Sequence, residues 1–423
     1  MLLTDPEFSK QHSVEGLAYA SIQPTVKEEV AHNKELLKVL VDVLSKAPAK
    51  SPLTYGVLSI FMNLTRYLPV QSEEQKKMNQ LKAYANAAGK LGPQNPLNDD
   101  EHVSERCKLV FEAGIIPVLV THSRYGSVAS LSITVSIIHA LATIPGIRGQ
   151  LSQQGAVNLL IAAFAALPES ENQARRTAAQ GLARILISVD PSLVFGGTRA
   201  RPQSSAIRPL LDIMTPDPTA ETRDLLPTFE SLMALTNLAS LDDGETRPAI
   251  IRAAWPQVED LLLSSNHRVS RAATELVCNL VQCVEGVALY ADGTPQAANR
   301  LHVLLALTDA EDEGTRLAAG GALAALTAYE EVVRAVLRRE RGVDVVLGMC
   351  DGDESEALRH RGVVVVANLA LCDNGDVGKQ ARAALRAARA VDALTRCAKV
   401  SRDAPVVEGA VQVLKALLED ADA

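Results

Sequence analysis

Ser51-Pro-Leu-Thr-Tyr-Gly-Val-Leu-Ser-Ile-Phe-Met-Asn-Leu-Thr-Arg-Tyr-Leu-Pro69 is the stretch from which the fold can be read. It reads as one helix with both ends marked. Ser51 suits the N-cap and Pro52 the first helical position, where no N–H is needed. Pro69 sets the stop, because a proline disfavours helix in the residue before it. At about 100° per residue, Val57, Ile60, Phe61 and Leu64 form an apolar face. Tyr55, Ser59, Met62, Asn63 and Arg66 gather on the opposite face. An ordinary solvated face would carry Lys and Glu, whereas this set contacts proteins well. A helix whose second face packs on a neighbour accounts for it equally well.

The end of this helix recurs. Phe61-Met-Asn-Leu64 is followed by Ile138-His-Ala-Leu141, Ala183-Arg-Ile-Leu186, Leu235-Thr-Asn-Leu238 and Val277-Cys-Asn-Leu280. Leu323-Ala-Ala-Leu326, Val366-Ala-Asn-Leu369 and Leu414-Lys-Ala-Leu417 complete the series. From Leu141 the steps are 45, 52, 42, 46, 43 and 48 residues. A weaker copy, Gly16-Leu-Ala-Tyr-Ala-Ser21, lies 43 residues before Leu64. That period belongs to three-helix armadillo or two-helix HEAT repeats. Short apolar segments such as Ala113-Gly-Ile-Ile-Pro-Val-Leu-Val120, Gln154-Gly-Ala-Val-Asn-Leu-Leu160 and Arg341-Gly-Val-Asp-Val-Val-Leu347 precede the long blocks. Polar turns such as Thr215-Pro-Asp-Pro218 follow them, and this order favours armadillo. Stacked repeats share one aliphatic core, and small pairs such as Ala178-Ala179 and Ala272-Ala273 let helices cross closely. The prediction is all-α: about nine armadillo repeats in one right-handed superhelical solenoid over residues 1–423, the long third helices lining its concave wall.

One step breaks the period. Leu64 to Leu141 is 77 residues, and the excess falls at about 70–104. Its Pro, Gly and low hydrophobicity predict an inserted flexible loop. We read it as a lid beside Asn63 rather than a tolerated surface insertion. The chain enters a helical pattern almost at once after Met-Leu-Leu-Thr-Asp-Pro-Glu7, which points to a fragment of a longer protein.

Composition narrows the function. The net charge of −8 gives no support to nucleic-acid binding. No apolar run reaches membrane-spanning length, and no secretory signal opens the chain. The six cysteines are scattered, which fits reduced thiols in the cytoplasm. Cys278 and Cys283 have no nearby His, and the eight His residues form no pair at ligand spacing, so no metal is expected. Asp351-Gly-Asp-Glu354 lacks the later ligands of a calcium loop and reads as an acidic helix-start turn. Gly196-Gly197 has no phosphate-loop context, so no cofactor is expected. No acid, base and nucleophile set converges, so the chain is read as a non-enzyme. Lys379, Arg382, Arg386 and Arg389 make a basic stripe read as a solvated helix face, with contact to an acidic patch on a partner as the alternative.

The better candidate is a ladder of asparagines. Asn63, Asn237, Asn279 and Asn368 occupy one register in four repeats. Asn is mildly unfavourable inside a helix, so the repetition needs a reason. Its amide can pair with both the C=O and the N–H of an extended peptide, or it can bond a neighbouring backbone group.

With these residues in view, the chain resembles the UCS domain of the myosin chaperones. The resemblance runs through Val14-Glu-Gly-Leu-Ala-Tyr19, Tyr55-Gly-Val-Leu-Ser-Ile-Phe-Met-Asn-Leu64 and Phe229-Glu-Ser-Leu-Met-Ala-Leu-Thr-Asn-Leu-Ala239. It continues through Ala273-Thr-Glu-Leu-Val-Cys-Asn-Leu280, Arg316-Leu-Ala-Ala-Gly-Gly-Ala-Leu323 and Arg361-Gly-Val-Val-Val-Val-Ala-Asn-Leu369. It implies a cytoplasmic chaperone that binds the myosin motor domain in a groove contacted at Tyr55 and Asn63. Animal members recruit Hsp90 through an N-terminal TPR module, and nothing in this sequence matches one. The alternative is a generic armadillo scaffold or cargo adaptor. A nuclear-import adaptor would place Trp four residues before each Asn, where this chain has Ser59, Met233, Glu275 and Val364.

Overall fold

Ser51 caps the helix Pro52–Thr65 as its sequence requires, its Oγ accepting the Thr54 amide at 3.2 Å. Val57, Ile60, Phe61 and Leu64 are all fully buried. The C-terminus differs from the expectation. The helix stops at Thr65, and Arg66 is already extended. Arg66 therefore lies beyond the helix rather than on the face shared by Tyr55 and Asn63. These observations come from a computed structural model, which describes residues 7–68, 77, 95–197, 201–218, 223–373 and 375–419.

Among the described residues every regular element is helical. The chain divides into two compact units, Met1–Arg223 and Asp224–Ala423. The division falls within the longest regular step of the repeat, between Leu186 and Leu238.

In the first unit the long helices Glu7–Ala20, Pro52–Thr65, Val128–Leu141 and Asn172–Leu186 pack in succession. In the second unit Leu226–Ala239, His267–Leu280, Glu313–Leu326, Glu356–Ala370 and Ala404–Glu419 do the same. Two shorter helices precede most of them, as Asp100–Glu112 and Ile115–Ser123 precede Val128–Leu141. This is the three-helix order of armadillo repeats. One repeat departs from it: Thr246–Leu262 is a single helix running through Pro256. The turn between the two short helices needs a left-handed residue, and Gly114 and Gly155 supply it. Glycine also sets the closest crossings. A Cβ on Gly56 would sit 2.7 Å from Val14 Cγ1, and one on Gly181 would sit 3.2 Å from His139 Cα.

The helix Asp100–Glu112, capped by Asp99, begins inside the stretch assigned to the inserted loop. Most of that loop lies outside the described residues.

Candidate functional site

Tyr55 stands half exposed on the outer face of Pro52–Thr65, and Tyr19 is 81 % exposed near the end of Glu7–Ala20. They line one groove of about 570 Å³ in the first unit. Its walls add Ala18, Gly56 and Ser59, with Ser127 and Ser130 from the start of Val128–Leu141. Ser59 donates to the Tyr55 carbonyl of its own helix at 2.8 Å, so its hydroxyl is held in place. Met62 and Asn63 are half-buried, one turn further along the helix. Two exposed phenol rings over small and apolar walls form a surface suited to an apolar segment, since tyrosine gives large contact area at low entropic cost. Glu15 and Lys50 bring one charge of each sign to the rim.

The asparagines do something else. Asn63 Nδ2 donates to the Ala18 carbonyl at 3.1 Å and to Ser21 Oγ at 3.0 Å, both on the preceding rung. Asn368 repeats the arrangement with the Ala324 carbonyl at 3.0 Å and Thr327 Oγ1 at 3.1 Å. Asn279 donates to the Thr236 carbonyl at 2.9 Å. Asn237 is also engaged. Each amide N–H described here ties one long helix to the one before it. Asn63 belongs to the first unit and the others to the second. On Val128–Leu141, His139 Nε2 lies 3.2 Å from Gln180 Oε1 of the next long helix. Burial and the Arg184 guanidinium push His139 down to about 3, so the ring is neutral.

A second brace was not foreseen. Arg106, wholly buried, donates from Nε to the Leu64 carbonyl at 2.9 Å and pairs through Nη1 with Glu28. It covers the carbonyl end of Pro52–Thr65. Arg148 does the same for Ala142 at 2.7 Å, Arg247 for Ala239 at 2.8 Å and Arg382 for Ala370 at 3.0 Å. In each case an arginine from the next repeat closes a long helix. The basic stripe is thereby corrected: Arg382 and Arg386 bond carbonyls of neighbouring helices, Arg386 reaching Leu417 at 3.0 Å.

Comparison with known proteins follows this geometry. No family model matches the sequence. The chain is 30% identical over 361 residues to Ring assembly protein 3 of Schizosaccharomyces pombe, covering 84% of this chain and 46% of that protein. It superposes on UNC-45 from Drosophila melanogaster with a TM-score of 0.80 at 25% identity, over 100% of this chain and 51% of that one. The myosin chaperone UNC-45 from C. elegans, solved in complex with an Hsp90 peptide, gives a TM-score of 0.78 at 23% identity over 97% and 42%. The chain belongs to the UCS-domain family. This UCS chain spans about half the length of the curated relatives it matches.

Tyr19 also lines the Tyr55 groove, and the helical wheel of Pro52–Thr65 does not reveal it. Its signal was present: it lies 43 residues before Met62, one repeat earlier at the same register. Beside the groove helix, burial pushes the Tyr67 hydroxyl up to about 12 and the Cys107 thiol up to about 12. Burial also lowers Lys27, with Arg106 and Arg66 adding to the effect. These groups sit in the packing around the Arg106 clamp and offer no nucleophile. Among the described residues no group of three His, Cys, Asp or Glu could hold a metal ion. No single described helix is long and apolar enough to cross a membrane.

Proposed function

We propose that this UCS chain is a chaperone domain for the myosin motor domain and acts by holding rather than by catalysis. A partly unfolded motor segment lies in the groove between Glu7–Ala20, Pro52–Thr65 and Val128–Leu141. Tyr19 and Tyr55 contact its apolar side chains, with Ser59 and Met62 beside them. Arg66 contacts the segment past the helix end. Asn63, Asn237, Asn279 and Asn368 serve the client indirectly, by fixing the spacing of the rungs. Holding the segment lowers the population free to aggregate and needs no nucleotide. The observation that carries this reading is the exposure of two tyrosines over one groove, on helices tied together by the half-buried Asn63 amide. That relatives of this fold include a myosin chaperone names the client. We assign any Hsp90 contact to the part of the relatives that this chain does not span. The proposed setting is the cytoplasm, in keeping with six free cysteines.

The test is heat-induced aggregation of a purified motor domain, followed by light scattering. The chain should suppress it, and Tyr19→Ala with Tyr55→Ala should abolish the suppression while leaving the melting temperature unchanged. Full protection by that double variant would remove the groove from the proposal.

A further inference from the structure

A second cavity, of about 760 Å³, lies in the second unit between Pro295–Leu307, Glu330–Arg338 and Gly342–Gly348. It shares no residue with the tyrosine-lined groove. Its floor is apolar, with Leu301 and Leu305 buried beneath it and Val345 at its side. Arg338, Arg339 and Arg341 ring it. Several other arginines of this unit are neutralised, Arg300 by Glu259, Arg316 by Glu354, Arg334 by Glu330 and Arg271 by Glu275. Arg338, Arg339 and Arg341 make no ion pair among the described residues. Glu340 and Asp309 also edge the cavity, and neither pairs with them.

The backbone adds a second observation. Arg341 is left-handed, with φ of 59°, at the turn between the two short helices. The next repeat also uses an arginine here, Arg389 at 60°, whereas the same turn in the first unit is made by Gly114 and Gly155, at 84° and 92°. A side chain there is strained, because Cβ crowds the following carbonyl. The chain cannot relax by shifting one residue, since a Cβ on Gly342 would lie 2.3 Å from the Val336 carbonyl oxygen. Arginine is thus held at a position that favours glycine, and its guanidinium stands at the rim. Strain of this kind collects at functional positions.

We infer that this cavity docks an acidic peptide segment of a partner protein. Guanidinium forks recognise carboxylates through paired hydrogen bonds, and three unneutralised forks around an apolar floor fit Asp or Glu side chains flanking a buried Leu or Phe. A nucleic-acid strand fits less well, because the floor is aliphatic, His302 is the one ring in the lining, and the whole chain carries −8.

The experiment is fluorescence anisotropy with the full chain and a fluorescein-labelled peptide alternating Glu with Leu. A matched peptide carrying Gln for Glu is the control. The Glu peptide should bind at least about tenfold tighter, and added salt should weaken it. Arg338→Glu with Arg341→Glu should remove the preference. Arg341→Gly should weaken the peptide while keeping or raising the melting temperature. Tyr55→Ala should bind it normally, which separates this site from the client groove. Equal affinity for the two peptides, retained binding by the double Glu variant, or displacement by polyuridylate as strong as by the Glu peptide would each overturn the inference.

Discussion

Asn63→Ala separates bracing from contact. In the structure the amide reaches the Ala18 carbonyl and Ser21 Oγ, and Ser21 is wholly buried. Truncation leaves Ser21 Oγ without its Asn63 donor. The Ala18 carbonyl keeps one partner, because Ser21 also donates to it at 2.9 Å. A buried group left unsatisfied costs about 1–3 kcal/mol, and the retained bond argues for the middle of that range, about 2 kcal/mol. For a unit of this size each kcal/mol is about 2–4 °C, so the melting temperature should fall by about 4–8 °C. Tyr55→Ala removes an exposed ring and should change stability by less than about 0.5 kcal/mol. Thermal unfolding by circular dichroism and motor-domain binding, measured on the same variants, give the two readouts. The expected pattern is an unstable Asn63 variant whose folded fraction still binds, and a stable Tyr55 variant that does not. An Asn63→Ala protein with an unchanged melting temperature and lost binding would refute the bracing argument.

Other outcomes follow from the same packing. Phe61→Ala empties a fully buried site and should cost about 3–5 kcal/mol in denaturant unfolding. Arg106→Met removes the partner of Glu28 and the cap on Leu64; if the loss of the buried pair dominates, urea unfolding should show about 3–5 kcal/mol less stability. Acid should weaken the first unit through His139. Its folded value is depressed to about 3, so below about 6.5 the unfolded chain takes up a proton that the native ring refuses. Stability should therefore fall by about 1.4 kcal/mol per pH unit from there downward, and His139→Gln should flatten the slope of melting temperature against pH.

Much of the fold is legible because its periodicity is local. The Leu step, the Ser51 cap and the buried face of Pro52–Thr65 all follow from residues within a few turns of one another. The helix end was misjudged by three residues for the opposite reason. Its last carbonyls are closed by Arg106, which lies 42 residues on, so the helix need not run to Pro69. The helical wheel rightly separates Asn63 from the core, but a wheel carries no information about what lies across from a face. Across from Asn63 is Ser21, and across from Tyr55 is open groove. The same blindness turned Arg382 and Arg386 into a solvated stripe. The division into two units is marked only by one long step of the repeat.

The arginine clamps bear on how the molecule can be cut. A long helix is finished by a side chain that belongs to the following repeat, so the natural module does not end where the helix ends. A fragment terminated after Thr65 or Ala239 would keep every residue of the last rung yet expose its final carbonyls. Pieces intended for crystallography or single-repeat deletion should extend through the first short helix of the next repeat. Boundaries drawn at Arg106 or Arg247 and beyond should yield soluble fragments, where those drawn by repeat period alone should fray.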